Sequence, residues 1–178
     1  MKILVAITGA SGLEYGMRLM EVLRKSTGVV CSVVISSGAK KVEKAEKIVL
    51  PKQDYDEFDF DCSYASGSNP PDAVVVVPCS LKTLGEIANG VGNSLITRAA
   101  EVALKERKKL ILVVRDTPYS LITIKNMERI TLAGGVILPA CPGFYGKPKK
   151  IEDLIDFVVA RVLDQLEIKH EIGKRWKE

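Results

Sequence analysis

Short polar stretches in this chain gather the residue types that hold a phosphate. They are Thr8-Gly9-Ala10-Ser11-Gly12, Ser36-Ser37-Gly38, Pro78-Cys79-Ser80-Leu81-Lys82-Thr83, Arg115-Asp116-Thr117-Pro118 and the run from Pro139 to Tyr145. Hydroxyls and glycines lead the first three. Glycine lets a backbone approach a ligand closely, and a helix starting there presents its first N–H groups to an anion. Ser and Thr add short donors, and Arg115 adds a full charge. A plainer use competes. Ser11-Gly12-Leu13-Glu14 reads as a capping box, and Ser80 as a simple helix cap. One such loop means little, but three together with Arg115 point to a ligand that carries a phosphate.

The kind of nucleotide can be narrowed. GASG at 9–12 is not the GxGxxG fingerprint, and the second strand ends in Ser36-Ser37, where an acid would hold an adenine ribose. A Walker lysine is absent too. NAD and ATP are disfavoured, and flavin mononucleotide (FMN), with one phosphate and no second ribose, fits better. A second basic set stands apart from these loops. Arg98 and Lys105, seven apart on one helix, share a face. Arg161 falls at the border of an apolar arc made by Leu154, Ile155, Val158 and Val162, at about 100° per residue. Taken singly, each is an ion pair or a snorkelling stem, and Glu101 stands ready as a partner for Arg98. The residues alone leave a flavin-like phosphate site and an unassigned basic cluster.

The elements that must position these groups are legible from hydrophobic runs. KILVAIT (2–8), VVCSVVIS (29–36), AVVVVP (73–78), LILVVR (110–115) and GGVILP (134–139) read as strands. Helices are predicted over about 13–25, from 37 to about 49, from the end of AVVVVP to about Asn89, and over 94–106, 120–132 and 151–168. The stretch 51–72, rich in acids, Ser, Gly and Pro, reads as a loop with room for one short strand, and it is the natural place for a lid. Alternating strands and helices give βαβ units. Unbroken Val/Ile/Leu runs suit strands covered on both faces. The expectation is an α/β, three-layer Rossmann- or flavodoxin-like domain with a mostly parallel sheet. It fills residues 1–178 as one unit, with a C-terminal tail from about 169. In such sheets ligands bind beyond the carboxyl ends of the strands, where the polar stretches lie.

Composition removes other classes. The 178 residues are 47% hydrophobic, enough for a sizeable core, yet no apolar run reaches the ~18 residues of a membrane span. At the start, MKILVAITGAS has a short apolar run, and GASG reads better as a strand-to-helix turn than as a cleavage site, so an intact cytoplasmic protein is expected. Net charge is +4, and aromatics are only 6%, which argues against nucleic acid. The four cysteines form no CxxC, and His170 is the one histidine, so a zinc site or a Ser–His–Asp triad has almost no raw material. Cys31 and Cys79 read as packing residues.

The longer motifs carry a resemblance. GASGLEYGMRLMEVL, VVVVPCSLKTLGEIANG, NSLITRAAEVALKERKKLILVVRDTPYS, LPACPGFYGKP and the closing RW resemble the flavin prenyltransferases of the UbiX/Pad1 family over nearly the whole chain. The resemblance implies a metal-independent reaction. Reduced FMN receives the prenyl group of dimethylallyl phosphate at N5 and C6, and the product serves UbiD-type decarboxylases as cofactor. It also implies a dodecamer of trimers with sites at subunit contacts. By the same resemblance, Gly9, Ala10, Ser11, Ser36, Ser80, Leu81, Lys82, Thr83 and Arg115 bind FMN. Tyr145 and Arg161 hold the donor phosphate with Lys105 beside them, Arg98 is a further basic position, and Trp176 is the tail tryptophan. Asp116 stands where the family carries a glutamate tied to proton handling near N5. Two other readings remain in the field. One is an FMN-dependent cysteine decarboxylase, for which a histidine after the first helix and a PASANT-type loop are missing. The other is a flavin-storage or electron-transfer module, which would not require Arg98, Lys105, Tyr145 and Arg161.

Overall fold

In the computed structural model, which describes residues 1–176, five strands form one sheet. They are β1 (Lys2–Ile7), β2 (Val30–Ile35), β3 (Ala73–Cys79), β4 (Lys109–Val114) and β5 (Val136–Ile137). Their order is β2-β1-β3-β4-β5, and every pairing is parallel. This is the flavodoxin-type doubly wound order, whose direction reverses between β1 and β3. The connecting helices are α1 (Leu13–Lys25), α2 (Ser37–Glu46), α3 (Leu81–Ala88), α4 (Leu95–Lys105), α5 (Leu121–Leu132) and α6 (Ile151–Gln165).

Side-chain alternation along each strand splits the core in two. Ile3, Val5, Ile7, Val75 and Ile111 face α1 and α6, meeting Leu19, Leu23, Val158 and Val162. Leu4, Ala6, Val74, Val76 and Leu112 face the other side, meeting Leu84, Leu95, Ala99 and Ile130 of α3, α4 and α5. All of these are almost completely buried. Each fully buried Val, Leu or Ile contributes about 1.5–3 kcal/mol, so the valine run of β3 anchors both layers at once.

The departures from expectation lie at element ends. The last strand shrinks to Val136–Ile137, and the last helix stops at Gln165, beyond which Glu167 takes a positive φ of 60°. Helix α2 ends at Glu46, with Lys47 left-handed at φ 56°. The stretch 51–72 is not one open lid. Tyr55 bridges to Val34, Asp54 accepts the Val33 N–H at 2.9 Å, and Ser63–Ala65 form a 3-10 turn with Tyr64 buried. Its exposed apolar tip is Phe58 to Phe60.

Candidate functional site

A cavity of about 490 Å³ opens beyond the carboxyl ends of β1, β2 and β3. Its geometry begins with Thr8, which is 1% exposed. The Thr8 hydroxyl donates to the Pro78 carbonyl at 2.7 Å and accepts the Ser80 N–H at 2.9 Å. Pro78 has no N–H to offer a neighbouring strand, and the β3–β4 register shifts between Val76 and Cys79. Thr8 therefore stitches the two strand ends together where the sheet reverses. On the other side Gly9 lies against Gly38, and a Cβ on Gly9 would come within 2.8 Å of the Gly38 backbone. Only glycine permits that approach.

The N-termini of α2, α3 and α4 converge on this cavity through Ser36, Ser80 and Ser94. Each serine caps its helix. Ser36 accepts from the Ala39 N–H at 3.0 Å, and Ser80 from the Thr83 N–H at 3.3 Å. Ser80 and Thr83 also share a hydroxyl–hydroxyl bond at 3.1 Å, which uses one of their two hydrogens and leaves the other for a ligand. The expected Ser11–Glu14 capping box does not form. Gly12, at φ 86°, is the α1 N-cap and makes no side-chain cap bond. Ser11 instead turns its carbonyl to Arg115, whose Nε donates at 3.1 Å.

The charges around the cavity cancel: Lys41, Lys82 and Arg115 face Glu57, Glu86 and Asp116, and Lys82 is paired to Glu86 at 2.9 Å. The bias toward an anion thus comes from the helix N-termini, α3 and α4 above all, since Glu57 already meets the first N–H of α2. Glu57 accepts the Ser37 N–H at 2.6 Å and so delivers from the 51–72 loop the acid that the end of β2 lacks. Asp116 accepts its own neighbour's Thr117 N–H at 2.8 Å through Oδ1. Burial pushes the thiol of Cys79, at the end of β3, far up, and that of Cys31, near the start of β2, up to about 11, so neither is a thiolate nucleophile at neutral pH. Among the described residues no three His, Cys, Asp or Glu side chains gather as metal ligands, and no helix is long and apolar enough to cross a membrane.

The site residues expected from sequence fall into three groups. Gly9, Ala10, Ser36, Ser80, Leu81, Lys82, Thr83, Arg115 and Asp116 line the cavity, and Ser11 reaches it through Arg115. Tyr145, Arg161 and Trp176 line a second hollow of about 220 Å³ between the 143–149 loop, α6 and the tail. There the Tyr145 ring meets the Trp176 ring edge-on at 5.1 Å and the Phe157 ring at 5.7 Å. Arg98 and Lys105 make the third group. Within one chain Lys105 is not beside Tyr145 and Arg161. It ends α4, roughly 15 Å along the helix from the capped end that faces the cavity, and pairs with Glu106 at 2.6 Å. Arg98 pairs with Glu101 at 2.8 Å and donates from Nε to the Ala65 carbonyl at 3.0 Å.

Sequence reading missed the piece that joins this third group. The turn Ser66-Gly67-Ser68 runs between Arg98 and Lys105, and a Cβ on Gly67 would lie 2.4 Å from the Lys105 Nζ. The signal was there as a small Ser-Gly-Ser run, hidden in the least regular part of the chain.

The comparisons decide the family. The Flavoprotein family model matches residues 1–163. The flavin prenyltransferase UbiX of Methanocaldococcus jannaschii is 48% identical over 183 residues, covering 99% of this chain and 98% of that one. The chain belongs to the UbiX flavin prenyltransferases. Solved UbiX structures superpose closely on it. AnUbiX (PadA1), in complex with FMN and dimethylallyl pyrophosphate, gives a TM-score of 0.94 at 41% identity, covering 99% of this chain and 97% of that one. A dodecameric FMN-dependent UbiX-like decarboxylase from Escherichia coli O157:H7 gives 0.93 at 36% identity, with both chains covered completely.

Proposed function

We propose that this chain transfers the dimethylallyl group of dimethylallyl phosphate to N5 and C6 of reduced FMN, in the cytoplasm, making the prenylated flavin used by a UbiD-type decarboxylase. One observation carries the reading: the anion donors form separate sets, one at the sheet's switch point and others around Tyr145–Arg161 and Arg98–Lys105. A one-phosphate binder needs only the first.

The first set fits FMN. The cavity lies in the range that holds a compact ligand, and its donors are hydroxyls, helix-end amides and Arg115. Gly9, Ala10, Ser11, Ser36, Ser80, Leu81, Lys82, Thr83 and Arg115 would hold the cofactor there. When bound, reduced FMN supplies the electron-rich ring that accepts an allyl cation.

Tyr145, Arg161, Lys105 and Arg98 hold the donor's phosphate. As the allylic C–O bond breaks, negative charge grows on that phosphate. Fixed donors then bind the transition state more tightly than the ground state. Asp116 engages Thr117 through Oδ1 and leaves Oδ2 to carry a proton near the ring. Phe58 and Trp176 are placed to exclude water, which would otherwise capture the cation as an alcohol. Arg98 and Lys105 stand apart from Tyr145 and Arg161 within one chain, which suits a site completed by a neighbouring subunit in a homododecamer. The test is direct. Incubation with reduced FMN and dimethylallyl phosphate, followed by mass spectrometry of the extracted flavin, gives a flavin heavier by one dimethylallyl unit. Unmodified FMN after prolonged incubation defeats the reading.

A further inference from the structure

Asp164 sits near the end of α6, one turn past Arg161, and its carboxylate collects three donors. Arg161 Nη1 donates to Oδ2 at 2.5 Å, and Arg175 Nη2 and His170 Nε2 lie 2.9 and 3.1 Å from Oδ1. Two of these donors belong to the tail after α6. The tail passes close to the helix. Gly173, at φ 72°, is left-handed, and a Cβ there would lie 3.1 Å from the Ala160 Cβ. The chain then reaches Trp176, whose ring meets Tyr145.

Two features argue that this is more than a surface ion pair. The His170 side chain is only 4% exposed, and its Nδ1 is buried without a partner, so a polar ring is held inside at a cost in order to reach Asp164. The charge balance also matters. Two guanidiniums share one carboxylate, so the hollow keeps a net positive charge for an anion. The Arg161 contact uses Nη1 alone, and among the described residues Nε and Nη2 take no other hydrogen bond, so the rest of the fork is left for an anion.

We propose that Asp164 is a positioning residue for the donor site: it sets the Arg161 fork and fastens the His170–Trp176 tail, so that Tyr145 and Arg161 are presented together. The inference rests on the assignment of Tyr145 and Arg161 to the donor phosphate. Asp164 touches neither substrate and acts through its three partners.

The test uses the full chain. Asp164→Asn keeps the shape and removes the charge. It raises KM for dimethylallyl phosphate about tenfold, the scale of one lost charge-assisted hydrogen bond, and leaves the Kd for FMN unchanged. Trp176 is the sole tryptophan, so its fluorescence anisotropy reports the tail without any substrate, and it falls in the same variant. Arg175→Gln cuts one exposed tie and gives a smaller drop in the same direction, and Asp164→Glu recovers part of both effects. A donor KM equal to that of the wild type in Asp164→Asn, or an unchanged Trp176 anisotropy, overturns the proposal. Absence of prenylated flavin from the wild type would instead defeat the functional reading, while the anisotropy would still report on the tail.

Discussion

Ser80 shows how one hydroxyl serves two ends. Its oxygen caps α3, and the Ser80–Thr83 pair, both members of which line the cavity, keeps one hydroxyl hydrogen for a ligand. Ser80→Ala therefore costs about 1 kcal/mol of stability for the lost cap and weakens FMN binding as well, readable by flavin fluorescence titration. Tyr145→Phe and Arg161→Ala act elsewhere. Each lowers the rate of prenyl transfer by roughly 10²–10³, the scale of one lost transition-state donor, and leaves FMN binding nearly intact. Loss of flavin without loss of turnover per bound flavin would contradict that division. Asp116→Asn slows the ring-closing step in single-turnover spectra, and unchanged spectra would remove Asp116 from the mechanism. At this scale the strand-end serines and Arg115 were legible because turn chemistry is local. The box at Ser11 was misread because Gly12 takes the left-handed cap position itself. Asp164 was invisible because two of its three partners, His170 and Arg175, come from an aperiodic tail.

Elements decide whether those side chains arrive together. Helix α1 lies against β3 through Gly16, where a Cβ would sit 2.4 Å from the Val77 carbonyl and 2.9 Å from Ile7. The obstruction is backbone, which cannot swing aside. Gly16→Ala is expected to destabilise the fold by roughly 1–3 kcal/mol, seen as a lower urea midpoint, and to loosen the β1–β3 crevice that holds the cavity. An unchanged midpoint would show that the two elements can part without cost. All five strands and six helices were predictable, because their apolar runs and helical faces repeat over many residues. Their ends were less so. The 138–139 and 166–168 segments carry apolar residues that continue the pattern, yet the ladder with β4 proper covers only Val136–Ile137, with the Leu138 N–H still bonded to the Leu112 carbonyl, and the chain leaves the helix after Gln165 to carry the tail. The 51–72 loop defeated periodicity altogether, since Asp54, Tyr55 and Tyr64 tie it down one by one.

At the scale of the molecule, acid is expected to unfasten its margins. Asp72 is held below its ordinary range by the Lys2 N–H at 2.7 Å, and Asp153 by the Lys149 N–H at 2.8 Å. Burial pushes Asp164 up, but Arg175 and His170 outweigh it and hold it low. A depressed carboxylate stabilises the fold fully above its unfolded value of about 4 and loses that contribution as pH falls through the folded one. Thermal stability should thus be flat on this account down to about pH 5 and decline below pH 4, and Trp176 anisotropy should fall with it. A decline that begins near neutrality would point to other groups.

Central to the proposed function are two ligands held by separate sets of donors, with the donor site completed across a subunit contact. A crystal structure with FMN and dimethylallyl phosphate tests this most directly. The predicted result places the FMN phosphate at the α2 and α3 N-termini beside Ser36 and Ser80. The donor phosphate lies on Tyr145 and Arg161 of one subunit and on Arg98 and Lys105 of its neighbour. Ligands bound far from each other, or a donor phosphate that touches neither Tyr145 nor Arg161, would contradict it.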